Sequence, residues 1–270
     1  MGSEPSPLPT LTVNNAEGKI VDSTGALLIS KAPKSLVVVG GGVIGLEMGS
    51  VWRRLGTKVT GGETSTIDAD IVFVSTGRRP FTKNVGLEAL GIETDKVGRI
   101  QFDDHFRTKV SSIFAIGDCI EGPMWLTRLK KKGLLVENIA GFAGHVNYNA
   151  IPGVVYTFPE LATVGQTEEQ LQKAGIKYNK GVFPFQANSR ARCTGDSEGS
   201  VKVLSDKETD RILGMHIIGP NAGEMIAEGV LAMEYGAASE DIARTCHAHP
   251  TLSEALKEAC MAAYDKPIHF

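Results

Sequence analysis

The sequence predicts an α/β fold in two parts, a βα layer followed by an α+β domain. Three observations carry this. An apolar run at residues 36–39 leads into Gly40, Gly42 and Gly45, and a helical pattern begins at once. Strand-like and helix-like stretches then alternate towards the end of the chain. Composition shifts at residues 147–153, NYNAIPG, which places a domain boundary there and divides the chain into 1–148 and 149–270.

The 270 residues leave room for two cores. A net charge of −3 carries no nucleic-acid footprint. No apolar run reaches the ~18–20 residues of a membrane span. Residues 1–10, MGSEPSPLPT, lack the basic and apolar regions of a signal peptide. The cysteines Cys119, Cys193, Cys246 and Cys260 lie far apart in sequence. They form no C-x-x-C, so neither a zinc site nor a local redox dithiol is expected, and free thiols fit a reducing compartment.

Taken in order, residues 11–28 read as short extended pieces broken by Asn14, Asn15, Gly18 and Gly25. The first clear strand is 36–39. Residues 43–55 predict a helix, with Val43, Leu46, Glu47 and Val51 at helical spacing and Gly56 as its stop. Residues 58–60 open a second strand, and the β-branched run 67–75 makes another. A short helix at 87–91 and strands at 98–102 and 113–116 follow. Residues 126–143 are helix-prone but carry a block of Arg and Lys at 128–132.

Beyond the boundary, strands are expected at 154–157, 177–184, 199–204 and 211–218. Helices are expected at 167–174, 222–235, 239–246 and 251–263, with Ser239 as an N-cap. The 222–235 helix, with Met225, Val230 and Met233, is more apolar than a solvated surface helix needs. It packs in a core or at a subunit interface.

G-x-G-x-x-G is informative only between a strand and a helix, and here it has both. Gly40 suits a tight turn, Gly42 a close approach by a pyrophosphate, and Gly45 a helix lying near the strand. The helix start then offers N–H groups and a positive dipole end to phosphates. The bland alternative is a glycine-rich turn without a ligand. Glu63, 18 residues after Gly45, stands near the offset of an acidic ribose ligand. Residues 61–66 leave no room for a further helix and strand, so Glu63 is either that ligand on a shortened sheet or an accident of register.

Several stretches together, VVVGGGVIGLEMGSVWRRLG, VSTGRRPFTKNVGLEALGI, IFAIGDCIEGPM and CHAHPTLSEALKEA, resemble dihydrolipoamide dehydrogenase, the flavoprotein component of 2-oxo acid dehydrogenase complexes. The resemblance covers nearly the whole chain but about the C-terminal half of the family's chain, with a further gap inside. It implies a truncated Rossmann-like nucleotide-binding domain and an α+β dimerisation domain. It also implies NAD and FAD as cofactors, a homodimer or a heterodimer with a full-length protein, and the 2-oxo acid dehydrogenase complex as partner. Location would be the mitochondrial matrix in a eukaryote and the cytoplasm otherwise.

By motif match, His249 is the family's base and Glu254 its carboxylate partner. A neutral imidazole takes a thiol proton, and a carboxylate on the other ring nitrogen fixes the tautomer. Thr251-x-x-Glu254 is also a capping box, so Glu254 serves the helix, the histidine or both. The resemblance further assigns Gly40, Gly41, Gly42, Val43, Ile44, Gly45, Leu46, Glu47 and Gly77 to NAD. It assigns Asp118 and the segment Met124, Trp125, Leu126 and Thr127 to FAD.

The departures matter as much. The family's C-x4-C redox disulfide is missing from these residues, so turnover by this chain alone is not expected. The remaining readings are a non-catalytic dimerising module or a faulty gene model. MWLTRLKKKG at 124–133 replaces the family's M-L-A-H-K-A-E-E-E-G, the pattern of a compensated one-base frameshift, with a basic surface patch as the alternative. Intact codons on resequencing would remove the frameshift reading. Phe158 replaces a family histidine and keeps the aromatic character.

Overall fold

The computed structural model describes residues 2–60, 66–103, 105–121 and 147–270. The chain divides into two units, Met1–Val146 and Asn147–Phe270.

In the first unit, β1 (Ser3–Pro5) will pair with a later strand. β2 (Ile20–Val21) is followed by the one-turn α1 (Ser23–Ala26), which Asp22 caps by accepting from the N–H groups of Thr24 and Gly25. Then come β3 (Ser35–Val39), α2 (Val43–Arg54), β4 (Lys58–Thr60), β5 (Ile71–Val74) and β6 (Arg78–Pro80). A four-stranded parallel sheet runs β2-β5-β3-β4, and β1 pairs antiparallel with β6. The glycine-preceding strand β3 therefore lies inside the sheet, where its unbroken apolar run belongs. Leu36 and Phe73 are fully buried there.

Four expectations need correction in this unit. Helix α2 forms, but Leu46 and Val51 point to solvent at 52% and 46% exposure. Its buried face is Gly45, Gly49 and Trp52, because small residues let the helix backbone approach the sheet. Strand 67–75 shortens to β5, whose pairing with β3 begins at Leu36 and Ile71. Asp70 instead accepts from the Ser35 N–H at 2.9 Å. Residues 98–102 and 113–116 form only the isolated bridges Thr94–Ile100 and Arg107–Phe114. Asp95 and Asp103 take the N–H groups of residues 97, 99, 105 and 107 into side-chain turns, which compete with a ladder. The 87–91 helix is one 3-10 turn, Glu88–Leu90, ended by Gly91 at φ 65°. The basic block at 128–132 and the expected helix 126–143 lie outside the described residues.

The second unit is a five-stranded antiparallel sheet. Its elements are β7 (Gly153–Val155), β8 (Glu160–Gly165), α3 (Glu168–Ala174), β9 (Tyr178–Pro184), α4 (Ser189–Thr194), β10 (Ser200–Asp206) and β11 (Ile212–Gly219). Helices α5 (Ala222–Tyr235), α6 (Ser239–Arg244) and α7 (Glu254–Tyr264) complete it. The order is β7-β8-β11-β10-β9. One continuous apolar cluster joins Phe183, Phe185, Val201, Met215 and Ile217 of the sheet side to Ile226, Leu256 and Ala259 of the helices. Gly181 is needed in β9: a Cβ there would meet the Ala259 carbonyl at 1.9 Å, so α7 lies directly on the strand.

Strand β8 and helix α4 were not anticipated. The signal for α4 was an Asn188 cap and a Gly195 stop around a short polar run. Ser239 is the first helical residue and not the cap. Its hydroxyl donates to Asp210 at 2.6 Å, while Asp241 accepts from the Ala238 N–H. Helix α6 ends at Arg244, before the predicted 246, because Thr245 is extended and its carbonyl meets the His247 ring and Lys257. Helix α7 begins at Glu254, three residues later than predicted. On α5, Met225 and Ile226 join the core, whereas Leu231 and Tyr235 are 60% and 85% exposed. No helix among the described residues is long and apolar enough to cross a membrane.

Candidate functional site

The glycine turn joins β3 to α2. Gly40 has φ +111°, and a Cβ there would meet the Ser75 carbonyl at 2.5 Å. A Cβ on Gly45 would meet the Gly40 carbonyl at 2.1 Å and Ser75 Oγ at 2.6 Å. These two glycines are demanded by the fold itself. Gly41 and Gly42 differ, for a Cβ on either would meet nothing within 4 Å. Space is left in front of them, and no side chain caps α2 at Gly42. The first-turn N–H groups of a 12-residue helix thus face an open cleft of about 590 Å³.

Gly40, Gly42, Val43, Ile44 and Gly77 line that cleft with Arg78. Gly45 is buried, Leu46 faces solvent, and Glu47 starts the second helical turn. Sequence reasoning missed Ser75. Its hydroxyl donates to the Gly40 carbonyl at 2.9 Å, with the Val39 carbonyl at 3.2 Å, and ties β5 to the turn. Glu63, Met124, Trp125, Leu126 and Thr127 lie outside the described residues.

Asp118 sits in the 3-10 turn Gly117–Cys119. It accepts from the Ser3 hydroxyl at 2.6 Å. Arg78 donates to that same hydroxyl and to the Ser3 carbonyl, both at 2.7 Å. The β1–β6 pairing delivers Ser3 and Arg78 to each other, which no local motif announces.

In the second unit, the loop before α7 carries the two motif histidines. His247 is occupied on both nitrogens, by Glu228 Oε1 at 2.8 Å and the Thr245 carbonyl at 3.0 Å, and is structural. His249 is different. Its Nδ1 lies 2.9 Å from Glu254 Oε1, the side chain is 64% exposed, and Nε2 has no hydrogen bond among the described residues. An ionised carboxylate only accepts, so Nδ1 carries the proton, and in the neutral ring Nε2 keeps its lone pair.

Glu254 also accepts from the Thr251 N–H at 2.8 Å through Oε2. Half of the capping box therefore forms. The other half does not, because the Thr251 hydroxyl donates to Ala248 and α7 has no side-chain cap. Partial burial pushes the Glu254 pKa up, but the Thr251 N–H and the His249 ring outweigh it and hold the carboxyl below its usual range. One turn along α7, buried Glu258 accepts from the Ile268 N–H at 2.7 Å and meets His269 Nδ1 at 2.6 Å, securing the C-terminal residues. All four cysteines are free, with Cys193 and Cys246 exposed and Cys119 and Cys260 buried. Burial pushes the thiols of Cys119 and Cys260 up, the opposite of a reactive thiolate.

Known proteins resemble the chain along almost its whole length. The family model described as pyridine nucleotide-disulphide oxidoreductase matches residues 1–64 and 58–133, in two pieces that overlap over 58–64. The one described as the dimerisation domain of pyridine nucleotide-disulphide oxidoreductases matches residues 151–260. Mitochondrial dihydrolipoyl dehydrogenase of Dictyostelium discoideum is 51% identical over 99% of this chain and 66% of its own. Mitochondrial dihydrolipoyl dehydrogenase 2 of Arabidopsis thaliana is 50% identical over 99% of this chain and 64% of its own. The chain thus spans slightly less than two thirds of these relatives. Those alignments run over 326 and 324 positions against the 270 residues present here, so the matched part of the relatives is longer than this chain. Among solved structures, LpdA of Mycobacterium tuberculosis has TM-score 0.88 at 21% identity, covering 96% of this chain and 67% of that one. The flavoprotein disulfide reductase RclA of Escherichia coli has TM-score 0.83 at 23% identity, covering 96% and 71%. At such identities they show a shared fold.

Proposed function

The chain belongs to the pyridine nucleotide-disulphide oxidoreductase family, and from that premise we propose that it is a shortened dihydrolipoyl dehydrogenase retaining the acid–base half of the chemistry. One observation carries the reading: His249 bonded through Nδ1 to Glu254 at 2.9 Å, with Nε2 unengaged and exposed. In this reading Nε2 takes a thiol proton from dihydrolipoamide. Glu254 holds the ring tautomer and stabilises the imidazolium that forms. Catalysis of this kind contributes about 10²–10⁴-fold.

The residues around the glycine turn fit an NAD pyrophosphate. Gly41 and Gly42 leave room for it, and the first turn of α2 offers N–H donors. Gly77 borders the same cleft. Asp118, held by Ser3, is the described residue assigned to FAD. When bound, the flavin would accept electrons and the nicotinamide would receive hydride. The assigned roles of Val43, Ile44, Leu46, Glu47, Glu63 and Met124 to Thr127 stand as part of the same proposal.

These residues hold no C-x4-C, and none of the four free cysteines replaces it. The expected result is no lipoamide-dependent NADH turnover by this chain alone. A visible spectrum and a turnover assay test it. Flavin absorbance near ~450 nm together with turnover would overturn the inactive reading, and a colourless, inactive protein would support it.

A second reading, a non-catalytic dimerising module, is favoured by the dimerisation match at 151–260 and by Leu231 and Tyr235 exposed on α5. The partner is a second copy or a full-length relative, with the 2-oxo acid dehydrogenase complex beyond it. The mitochondrial names of the relatives suggest the matrix. Under this reading His249→Gln changes nothing in the chain alone but cripples the partner's site in a heterodimer with the full-length enzyme.

A further inference from the structure

Asn188 stands immediately before α4, is 3% exposed, and takes no part in the chemistry above. Both ends of its carboxamide are used. Oδ1 accepts from the Ala191 N–H at 3.0 Å and caps α4. Nδ2 donates to the Thr251 carbonyl at 3.0 Å, 63 residues away. Turning the amide round would set NH2 against the Ala191 N–H and oxygen against the Thr251 carbonyl, so its orientation is fixed by its partners.

Thr251 is the hinge of the histidine pair. Its N–H donates to Glu254 Oε2 at 2.8 Å, and its hydroxyl donates to the Ala248 carbonyl at 2.8 Å. Every polar group of Thr251 is therefore assigned, and among the described residues its one hydrogen-bond partner distant in sequence is Asn188. A small pocket brings Asn188, His249, Glu254 and Glu258 to a common surface.

We propose that Asn188 is a positioning residue for His249. It holds the Thr251 carbonyl, Thr251 in turn presents its N–H to Glu254, and Glu254 keeps the His249 ring in the Nδ1–H form. The side chain must accept from Ala191 and donate to Thr251 at once, which suits asparagine; an ionised aspartate lacks the donor and serine lacks the reach. The functional meaning rests on His249 being the proton acceptor, but the structural chain does not. The rival explanation is that Asn188 is merely the cap of α4.

Three variants of the full chain separate the two. Asn188→Ser keeps a cap acceptor but is too short to reach Thr251. Asn188→Asp keeps size and cap but lacks the donor, and it covers the case in which serine leaves a destabilising void. Asn188→Ala removes both functions. The readout is the His249 tautomer from ring 15N shifts, measured above its titration and assigned with His249→Gln.

Wild type should show one dominant Nδ1–H pattern. In Asn188→Ser and Asn188→Asp the two ring-nitrogen shifts should converge as tautomers mix; melting temperature should fall by about 4 °C or less in Asn188→Ser, the order of 1 kcal/mol, and by more in Asn188→Asp, whose carboxylate is buried against the Thr251 carbonyl. Asn188→Ala should show the same convergence with a larger melting loss. A wild-type pattern kept in all three variants overturns the proposal and leaves a cap. A mixed pattern in wild type itself overturns the His249–Glu254 reading and this inference with it.

Discussion

The glycine turn and the histidine pair differ in what holds them. Around Gly40 and Gly45 the constraints are backbone atoms, the Gly40 and Ser75 carbonyls, approached so closely that no side chain fits. Around His249 the constraints are side chains, with Glu254, Thr251 and Asn188 each hydrogen-bonded to the next. The turn sits on a parallel sheet of short strands, supported by a small cluster around Leu36, Phe73 and Trp52. The pair sits on a helix anchored in the continuous core of the second unit. The backbone site needs only the adjoining strand ends, β3 and β5, to hold its shape. A side-chain site needs the whole unit that orients it.

Breaking the second unit should have the largest effect. Leu256 is fully buried beneath α7, so Leu256→Ala should cost about 2–5 kcal/mol and free the His249 ring. Calorimetry and histidine NMR would read both. Next is Gly45→Val, which drives a side chain into the Gly40 carbonyl. It should cost at least about 1–3 kcal/mol and abolish NADH binding, while the histidine spectrum of the second unit stays unchanged. A changed histidine spectrum would sink the separation drawn above.

The pH dependence of the pair is smaller. The folded Glu254 pKa lies below its ordinary 4.5, so its ionised form stabilises the native state above about pH 4.5. That stabilisation is lost as pH falls through the lowered value. Wild type should therefore lose more stability than Glu254→Gln between pH 6 and pH 3, by under about 1 kcal/mol, as read from thermal unfolding at the two pH values. Equal losses would contradict the linkage. The smallest effect on stability belongs to Gly42→Ala, whose Cβ meets open space. It should stay within about 0.5 kcal/mol of wild type and still weaken NADH binding, because the new methyl occupies the space a pyrophosphate would use.

Much of both sites was legible locally. The strand, glycines and helix at 36–54 fall within one short stretch, and His249 and Glu254 are five residues apart. The wider supports were not. Ser75 reaches Gly40 across 35 residues and Asn188 reaches Thr251 across 63, and neither residue type marks its partner in sequence. The buried face of α2 was not legible, because apolar spacing measures side-chain hydrophobicity. Here the sheet-facing positions are glycines chosen for close backbone approach, and Leu46 and Val51 are left outside. The strands expected at 98–102 and 113–116 failed because aspartate side chains compete for backbone N–H groups.

By itself the sequence determined the α/β class and the β3–turn–α2 unit, and its resemblance to a known family marked His249 and Glu254 as the pair now proposed for acid–base chemistry. The βα unit depends on neighbours within a few residues, where spacing and residue chemistry suffice. Tertiary structure alone decided which glycines are structural and which leave room for a ligand, that Glu254 serves both His249 and Thr251, and that Asn188 stands behind them. The Glu254 contacts are near in sequence but turn on which oxygen meets which donor, and the Ser75–Gly40 and Asn188–Thr251 contacts close at about 3 Å across 35 and 63 residues; a linear pattern carries no record of either.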